Sequence, residues 1–256
     1  MKNPKTIGIQ IAKSAGRLVL NLSKKDLAFA AKNTRDIVTE ADYKSESLII
    51  GQIKKYFPDH GILSEEMGEA RKPSPYRWII DPIDGTINYA SKFEEYCVSI
   101  ALEFKGKIIL GVVYRPVLDQ LYVAERGKGA FLNGRRIRVS KKNSLINALV
   151  GSDNSSKVPE KQVKNFEILK RICLEVRQIK ILGSASLLPC RMAQGQMDCY
   201  LKYSTNYWDY AAAALILTEA GGRVTDFTGK PYNERSENIV ATNKILHQKF
   251  LRLINA

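Results

Sequence analysis

Hydrophobic residues recur with a helical period in two early segments of the chain. Apolar positions from 5 to 22 predict one amphipathic helix, and those from about 40 to 56 predict a second. The polar residues 32–36 between them predict a loop. Further along, the rhythm changes to short apolar runs at 61–63 and 78–80, each followed closely by an acidic residue, and such runs are typical of strands buried on both faces.

The rest of the chain divides into a strand-rich part and an alternating part. Turn residues at Gly106 and Pro116 and an Asn-Gly pair at 133–134 separate apolar runs, which predicts strands and a hairpin. We therefore expect an α+β part at 1–142 and an α/β part at 143–256, joined without a Pro-, Gly- or Ser-rich linker into one compact unit. The expected later strands are 97–104, 108–114, 120–124, 148–152, 177–182, 199–201, 224–226 and 239–241, and the expected later helices are 161–173, 185–194, 208–220 and 244–253.

Composition narrows the class of protein. With 256 residues, 45% hydrophobic and 26% charged, the chain has the make-up of a globular domain, which excludes collagen-like, disordered and disulfide-scaffold classes. The longest wholly apolar run, 210–217, is far shorter than the roughly 20 residues that span a bilayer. Four cysteines form no Cys-x-x-Cys pair and no secretory apolar segment is evident, so we expect reduced thiols in a cytoplasmic protein.

The net charge is unusual. Forty Lys and Arg residues against 26 Asp and Glu give +14, which is compatible with nucleic-acid binding or with a field that attracts small anionic substrates. The basic residues are spread along the chain without an RGG tract, a Cys/His finger or an RRM-type aromatic motif. This pattern favours a basic surface over nucleic-acid binding as the main function.

Acidic residues cluster after the apolar runs and suggest a metal site. Glu65 follows one predicted strand, and Asp81 and Asp84 follow the next, in loops where carboxylates can converge on Mg²⁺ at a sheet edge. Gly85 allows close backbone approach, and Thr86 is expected to open a helix whose free N–H groups bind an anion. Carboxylates beside an anion cradle are the components of metal-assisted phosphoryl hydrolysis. The alternative is that Asp84 only caps a helix and Asp81 only begins a turn.

Two further acids can likewise be either functional residues or ordinary helix caps. Asp209 lies three residues after Asn206, and Asp42 lies three residues after Thr39, so each can be an ordinary first-turn residue of a helix. His60 and His247 are expected at the surface. No Ser or Cys lies in a nucleophile elbow, so nothing in the sequence supports a covalent phosphoenzyme.

Five segments together resemble the inositol monophosphatase family of metal-dependent sugar phosphatases, and their order and spacing agree with the family over nearly the whole chain. The pair WIIDPIDGTINY and WDYAAA…TEAGG is the most specific part of the resemblance. The five segments are DIVTEAD (36–42), LSEE (63–66), WIIDPIDGTINY (78–89), GSAS (183–186) and the stretch from 208 that continues to TEAGGRVTDFTGKPY.

The resemblance implies a five-layered αβαβα sandwich, usually a homodimer, and it implies roles by position. Glu65, Asp81 and the carbonyl of Ile83 resemble the ligands of a first Mg²⁺, and Asp81, Asp84 and Asp209 those of a second, with a third and weaker ion near Glu65. Mn²⁺ is expected to substitute. The other implied roles are Thr86 as the partner of the attacking water, Asp42 and the mobile-loop Lys32 as assisting residues, Gly85 and Thr86 as phosphate-binding amides, and Gly183, Ser184 and Ala185 as the wall that meets the sugar.

The implied activity is hydrolysis of a small phosphate monoester by a metal-activated water, without a phosphoenzyme and with sensitivity to lithium. The first expected substrate is inositol-1-phosphate. The alternatives are fructose 1,6-bisphosphate or another sugar or histidinol phosphate and, outside enzymes, a basic RNA- or protein-binding module on a phosphatase scaffold. The complete set of acids favours the enzyme, because a scaffold has no need of them.

Lys202 is a departure from the family pattern. It stands where the animal inositol phosphatases place an acid that accepts hydrogen bonds from inositol hydroxyls. An ammonium group donates hydrogen bonds and cannot accept them, so Lys202 favours a second anionic group on the substrate over a neutral polyol face. The alternative is that Lys202 extends into solvent.

Overall fold

The computed structural model describes residues 3–24, 29–33, 36–153 and 158–256, with the side chains of 29–33 and 36–37 outside that description. The helices are α1 (Pro4–Leu22), α2 (Glu40–Tyr56), α3 (Thr86–Ala90), α4 (Pro159–Ile172), α5 (Leu187–Ala193), α6 (Tyr207–Glu219) and α7 (His247–Ile254). The strands are β1 (Phe29–Asn33), β2 (Asp36–Thr39), β3 (Gly61–Ser64), β4 (Gly68–Ala70), β5 (Tyr76–Asp84), β6 (Cys97–Phe104), β7 (Lys107–Arg115), β8 (Gln120–Glu125), β9 (Gly129–Leu132), β10 (Arg135–Arg136), β11 (Leu149–Ser152), β12 (Gln178–Ile181), β13 (Cys199–Lys202), β14 (Arg223–Thr225) and β15 (Ile239–Thr242).

Two mixed sheets and three layers of helix form the predicted αβαβα sandwich. The larger sheet has the order β10-β9-β8-β7-β6-β5-β3-β4, and the smaller has the order β12-β11-β13-β15-β14. α1 and α2 pack on the outer face of the larger sheet, α5 and α6 lie between the sheets, and α4 and α7 cover the far face of the smaller sheet. The larger sheet uses residues from 61 to 136 and the smaller sheet residues from 149 to 242, and the expected division at 142/143 falls between them.

Burial explains why each layer forms. α1 and α2 present Ile7, Ile11, Ile49 and Ile53 to the sheet around the fully buried Trp78. α6 differs, because it is apolar on all sides and packs on both sheets at once. A helix that is hydrophobic all round belongs in the interior, and α6 is accordingly the central helix of the sandwich.

Some sequence predictions need correction. The predicted loop at 32–36 is wrong for residues 32, 33 and 36, because these lie in β1 and β2, which pair antiparallel with partners that include Ala31 and Ile37. Residues 34–35 lie outside the described residues. β5 does not end before Asp81 but continues to Asp84. The short strand β4 has no counterpart in the prediction, because its three residues carry no alternating pattern. No helix in the described ranges is long and apolar enough to cross a membrane.

The histidine predictions are also wrong in part. His60 is half-buried and its Nδ1 accepts a hydrogen bond from Trp78 Nε1 at 3.1 Å. His247 is buried between Thr225 and Thr242, with each ring nitrogen 3.0 Å from a threonine hydroxyl. The Thr225 hydroxyl donates its hydrogen bond to the carbonyl of Asp226, so its oxygen accepts a hydrogen bond from His247 Nε2–H. His247 Nδ1 is then the ring nitrogen that accepts a hydrogen bond. Burial lowers the pKa of His247 to about 4.

We expect His247 to make stability depend on pH. The unfolded chain binds a proton at its ordinary histidine pKa near 6.5, whereas the folded chain binds it only near 4, so the free energy of unfolding falls as the pH falls through that window. Between pH 6.5 and 5 the loss is about 1.5 kcal/mol from this group. Urea unfolding at both pH values measures the loss. His247→Asn should reduce the difference between the two pH values, and an equal difference in the variant and the wild type would contradict the assignment.

Candidate active site

A cavity of about 540 Å³ opens between the end of β5, the start of α6 and the loop before α5. Its wall contains most of the residues that the sequence singled out, and these are Glu65, Asp81, Ile83, Asp84, Gly85, Thr86, Gly183, Ala185, Lys202 and Asp209. Asp42 and Ser184 are fully buried and contact members of this wall. Segments far apart in sequence therefore meet at one place.

A β-bulge brings the first acids into the cavity. β5 pairs with β6 in regular antiparallel register as far as Asp81 opposite Ser99, and the register then shifts before Asp84, which lies opposite Cys97. The extra residue bends the strand and re-aims the side chains beyond it. The acids thus lie within a bulged strand and not in a loop.

Asp84 ties the strand to the loop before α5. Its Oδ1 accepts from the backbone N–H of Ala185 at 2.9 Å, and its Oδ2 accepts from the N–H of Ser186 at 2.8 Å and from the Ser184 hydroxyl. Burial raises the pKa of Asp84, although these donors act in the opposite direction. Asp84→Asn would place an amide donor against a backbone donor, so this substitution does not test the charge alone.

Asp81 is less well stabilised by hydrogen bonds than Asp84. Within the described part of the chain, its buried Oδ1 accepts no hydrogen bond. Burial raises the pKa of Asp81 well above its ordinary value, and the charges of Glu65, Asp84 and Asp209 raise it further. A buried carboxylate oxygen surrounded by other carboxylates lacks the positive charge that would make this arrangement favourable.

Asp42 serves as a helix cap and as a contact of the site. Its Oδ2 accepts from the Thr39 N–H at 2.7 Å and the Thr39 hydroxyl at 2.5 Å, which completes a capping box at the start of α2. Its Oδ1 lies 3.1 Å from Thr86 Oγ1, and that hydroxyl is also 3.0 Å from the carbonyl oxygen of Ile83. The capping interpretation of Asp42 is therefore correct, and its other oxygen contacts Thr86 in the cavity wall.

Asp209 likewise combines capping with a place in the cavity wall. It forms a capping box with Asn206, whose backbone N–H lies 3.4 Å from Asp209 Oδ2. Burial raises the pKa of Asp209 to about 7, with the Lys202 ammonium acting against the rise and the Asp84 charge adding to it. The carbonyl of Asp209 accepts from the Ser186 hydroxyl at 2.5 Å, which joins α6 to the loop before α5.

Lys202 is buried, so the alternative interpretation, in which it extends into solvent, is wrong. The residue is 4% exposed, and its Nζ lies 2.8 Å from Oδ2 of Asp153, which directly follows β11. Burial alone would lower the pKa of Lys202, but Asp153 and Asp209 together raise it. Asp153 also lines the cavity. Nothing in the sequence pattern predicts this role, because a single acid after a short strand belongs to no motif.

Gly85 and Asn88 explain how the turn after β5 fits against the loop before α5. Gly85 has φ of 92°, and a Cβ atom there would lie 2.7 Å from the carbonyl oxygen of Glu95. Asn88 Nδ2 donates to the carbonyls of Glu95 and Leu182, each at 2.7 Å. The Asn88 bridge was missed from the sequence, although it fixes the position of Gly183. The side chain of Lys32 lies outside the described residues.

The donor set fits a hard divalent cation. Carboxylate oxygens from Asp81, Asp84, Asp209 and Glu65 and the carbonyl of Ile83 are the oxygen ligands that Mg²⁺ prefers, and the Asp81 oxygen without a donor gives a direct reason for a cation. No three described acidic, histidine or cysteine side chains already surround one point.

The chain is similar to known proteins over nearly its whole length. The profile of the inositol monophosphatase family matches residues 3–256. A fructose-1,6-bisphosphatase/inositol-1-monophosphatase of Thermotoga maritima is 37% identical over 250 residues, which cover 96% of this chain and 94% of the relative. The crystal structure of the extragenic suppressor protein suhB from Bartonella henselae superposes with a TM-score of 0.93 at 36% identity and covers 97% of each chain. An IMPase/NADP phosphatase complexed with Mg²⁺ and phosphate superposes with a TM-score of 0.83 at 27% identity, covering 95% of this chain and 92% of its own.

We expect Asp81→Asn to stabilise the protein in the absence of divalent ions. The substitution removes a buried charge that its neighbours repel and keeps the shape of the side chain. Each 1 kcal/mol gained raises Tm by about 2–4 °C in a chain of this size. Thermal unfolding in EDTA measures the gain, with the exposed Asp59→Asn as the matched control. A lower Tm for Asp81→Asn than for Asp59→Asn would contradict the electrostatic argument.

Proposed function

The chain belongs to the inositol monophosphatase family, a family of phosphoric monoester hydrolases, and we propose that it hydrolyses a small phosphate monoester with Mg²⁺, inositol-1-phosphate being the first candidate. The observation that carries the proposal is the convergence of Glu65, Asp81, Asp84 and Asp209 on one cavity, with an Asp81 oxygen that no donor satisfies among the described residues.

We assign the ligands as the resemblance implies. Glu65, Asp81 and the Ile83 carbonyl would hold one ion, and Asp81, Asp84 and Asp209 a second, with a weaker third near Glu65. Bound there, Mg²⁺ would supply Lewis-acid stabilisation of the charge on the phosphoryl group and activation of water. A bound cation would also stabilise the protein, because it would offset the burial and the carboxylate repulsion that raise the pKa of Asp81 and Asp209.

The residues around the ligands can orient the attacking water. Thr86 Oγ1 lies within hydrogen-bond distance of both Asp42 and the Ile83 carbonyl. If the Ile83 carbonyl is engaged as a ligand, the Thr86 hydroxyl donates its hydrogen bond to Asp42, and the Thr86 oxygen can then accept a hydrogen bond from water. Asp42 is held by its cap and therefore fixes the direction of the Thr86 hydroxyl. Glu65 lies in the same wall and is the second residue that would orient water.

The surroundings favour direct attack by water over a protein nucleophile. The buried thiols of Cys97 and Cys190 have their pKa raised well above the ordinary value by burial, so they remain protonated. The hydroxyls of Ser184 and Ser186 donate to Asp84 and to the carbonyl of Asp209. These groups are committed to holding the site, which is consistent with a reaction without a phosphoenzyme.

The Lys202–Asp153 pair changes how the substrate is selected. Lys202 taken alone offers only a donor, but Asp153 places a carboxylate beside it in the same cavity. Adjacent donor and acceptor groups suit vicinal hydroxyls of a polyol, whereas the ammonium also suits a second phosphate. This pairing supports inositol phosphate as the first substrate and keeps sugar bisphosphates such as fructose 1,6-bisphosphate as the main competitor.

We propose that the protein acts as a homodimer and that lithium inhibits it, as the resemblance implies. We also propose that Mn²⁺ replaces Mg²⁺ and that the protein is cytoplasmic. Lys32 is proposed to assist near the metals. The basic surface, at net charge +14, is proposed to attract anionic substrates, and RNA or protein binding stays the competing function.

We expect release of inorganic phosphate from inositol-1-phosphate to require Mg²⁺, to stop in EDTA and to resume when Mg²⁺ is added back. Asp81→Asn should lower kcat/KM by at least about 10³-fold, because removal of one central electrostatic group typically costs 10²–10³-fold and this group serves both ions. A colorimetric phosphate assay measures the rates.

Asp59→Asn is the control, since this exposed acid lies before β3, at the opposite end of that strand from Glu65, and should leave the rate unchanged. Acid quenching during turnover of a ³²P-labelled ester should leave no label on the protein. Full activity in EDTA or in Asp81→Asn, or a labelled protein, would refute the mechanism.

Exchange of the paired residues should re-order substrates. We expect Lys202→Met and Lys202→Glu to lower kcat/KM for fructose 1,6-bisphosphate relative to inositol-1-phosphate, and Asp153→Asn to do the opposite. The size of each shift is about 1.5–3 kcal/mol, which is that of a hydrogen bond to a charged group. Lys202→Met is the cleaner variant, because glutamate at 202 would face Asp153. The exposed Lys164→Met is the control, and an unchanged ranking of a panel of phosphate esters would exclude the pair from selection.

A further inference from the structure

One buried face of α2 carries polar side chains that the reaction does not use directly. Asp42, Ser45 and Glu46 are separated by three and four positions, so they lie on one side of the helix. All three are buried, with Ser45 0% and Glu46 6% exposed. Each of them contacts a different segment of the site, and only Asp42 has a proposed role so far.

Ser45 holds the bulge in β5. Its Oγ donates to the carbonyl oxygen of Pro82 at 3.0 Å. The register of β5 and β6 shifts between Asp81 and Asp84, so a carbonyl in that interval leaves the regular ladder and needs another donor. Ser45 supplies this donor from the helix and thereby fixes the backbone between the two acids.

Glu46 holds the turn that carries Glu65. Glu46 Oε1 accepts from the backbone N–H groups of Glu66 and Met67, each at 3.1 Å, and from the hydroxyl of Ser64. The N–H of Glu65 donates in the other direction, to the carbonyl of Ile80 at 3.2 Å. The backbone of Glu65 is therefore held from both sides while its side chain lines the cavity.

The energetics of Glu46 suggest a purpose beyond stability. A buried carboxylate costs free energy of desolvation that its hydrogen bonds only partly return, and an apolar residue of similar size is often as stable in such a position. The same helix face continues into Ile49 and Ile53, which anchor α2 in the core with 0% exposure. α2, held in the core, thus forms hydrogen bonds both with the Asp81–Asp84 segment and with the turn that carries Glu65.

We infer that Ser45 and Glu46 are positioning residues that set the distance between the Glu65 turn and the Asp81–Asp84 bulge, and so prepare the acids to bind a divalent cation. This inference rests on the proposed function. Supporting residues behind metal ligands commonly change metal affinity by about 10–100-fold when removed. A residue with only a structural role would lower stability and leave the affinity of the folded protein unchanged.

The first measurement needs no metal. Hydrogen–deuterium exchange of the protein in EDTA should show faster exchange of the amides of Glu66 and Met67 in Glu46→Ala than in the wild type. Glu46→Gln keeps an acceptor oxygen and should restore much of the protection. Exposed Ser47→Ala on the same helix is the matched control for Ser45→Ala. Ile53→Val destabilises the helix packing without touching either segment and is the control for stability.

The second measurement is Mn²⁺ binding, followed by electron paramagnetic resonance, with Mn²⁺ alone as the probe. We expect Glu46→Ala to weaken binding about 10–100-fold and Ser45→Ala to weaken it less, with Glu46→Gln close to the wild type. Ile53→Val and Ser47→Ala should bind as the wild type does. If Glu46→Ala does not fold, weaker Mn²⁺ binding by folded Ser45→Ala supports the inference and unchanged binding overturns it.

The outcomes separate this inference from the proposed function. A wild-type protein that binds no Mn²⁺ would overturn the proposed function and the inference together. Normal Mn²⁺ binding by Glu46→Ala, or equal weakening by Ile53→Val, would overturn only the inference and assign Glu46 to stability.

Discussion

The mutual repulsion of carboxylates in a buried cavity is the constraint on which the rest of this structure depends. Asp81, Asp84 and Asp209 are each 9% exposed or less, and burial raises the pKa of all three. Such groups do not stay together unless other interactions hold them, since neither desolvation nor like charge favours the arrangement. The free energy must come from the apolar layers around the cavity, which are extensive.

The layered architecture holds the acids from several sides. β5 brings Asp81 and Asp84 from the larger sheet, and the central helix α6 brings Asp209 to meet them. The loop before α5 donates two backbone N–H groups and a hydroxyl to Asp84, while α2 contacts the site from the opposite face of the sheet. Because these contacts come from the α2 layer, the larger sheet and the central layer of α5 and α6, the cavity exists only when these three layers have packed together.

Local structure and function share atoms in this site. Asp42 and Asp209 both complete capping boxes, and the sequence patterns that predict capping are therefore correct. Asp42 nevertheless reaches Thr86 with its second oxygen, and Asp209 lines the cavity. A helix cap fixes a carboxylate more firmly than a surface loop could, so the start of each helix sets the position of Asp42 or Asp209.

The sequence by itself determined the elements and the family. Periodicity predicts α1 and α2 almost to their ends, and the paired motifs around Asp81 and Asp209 identify the αβαβα sandwich, because motif and period depend only on neighbouring residues. Only the tertiary structure decided that β5 bulges into the site, that His247 is buried and that Lys202 pairs with Asp153. It also decided the contacts of Glu46 with 64–67, about 20 positions along the chain. Such pairings join residues that the local pattern treats as independent, and only packing brings them within hydrogen-bond distance.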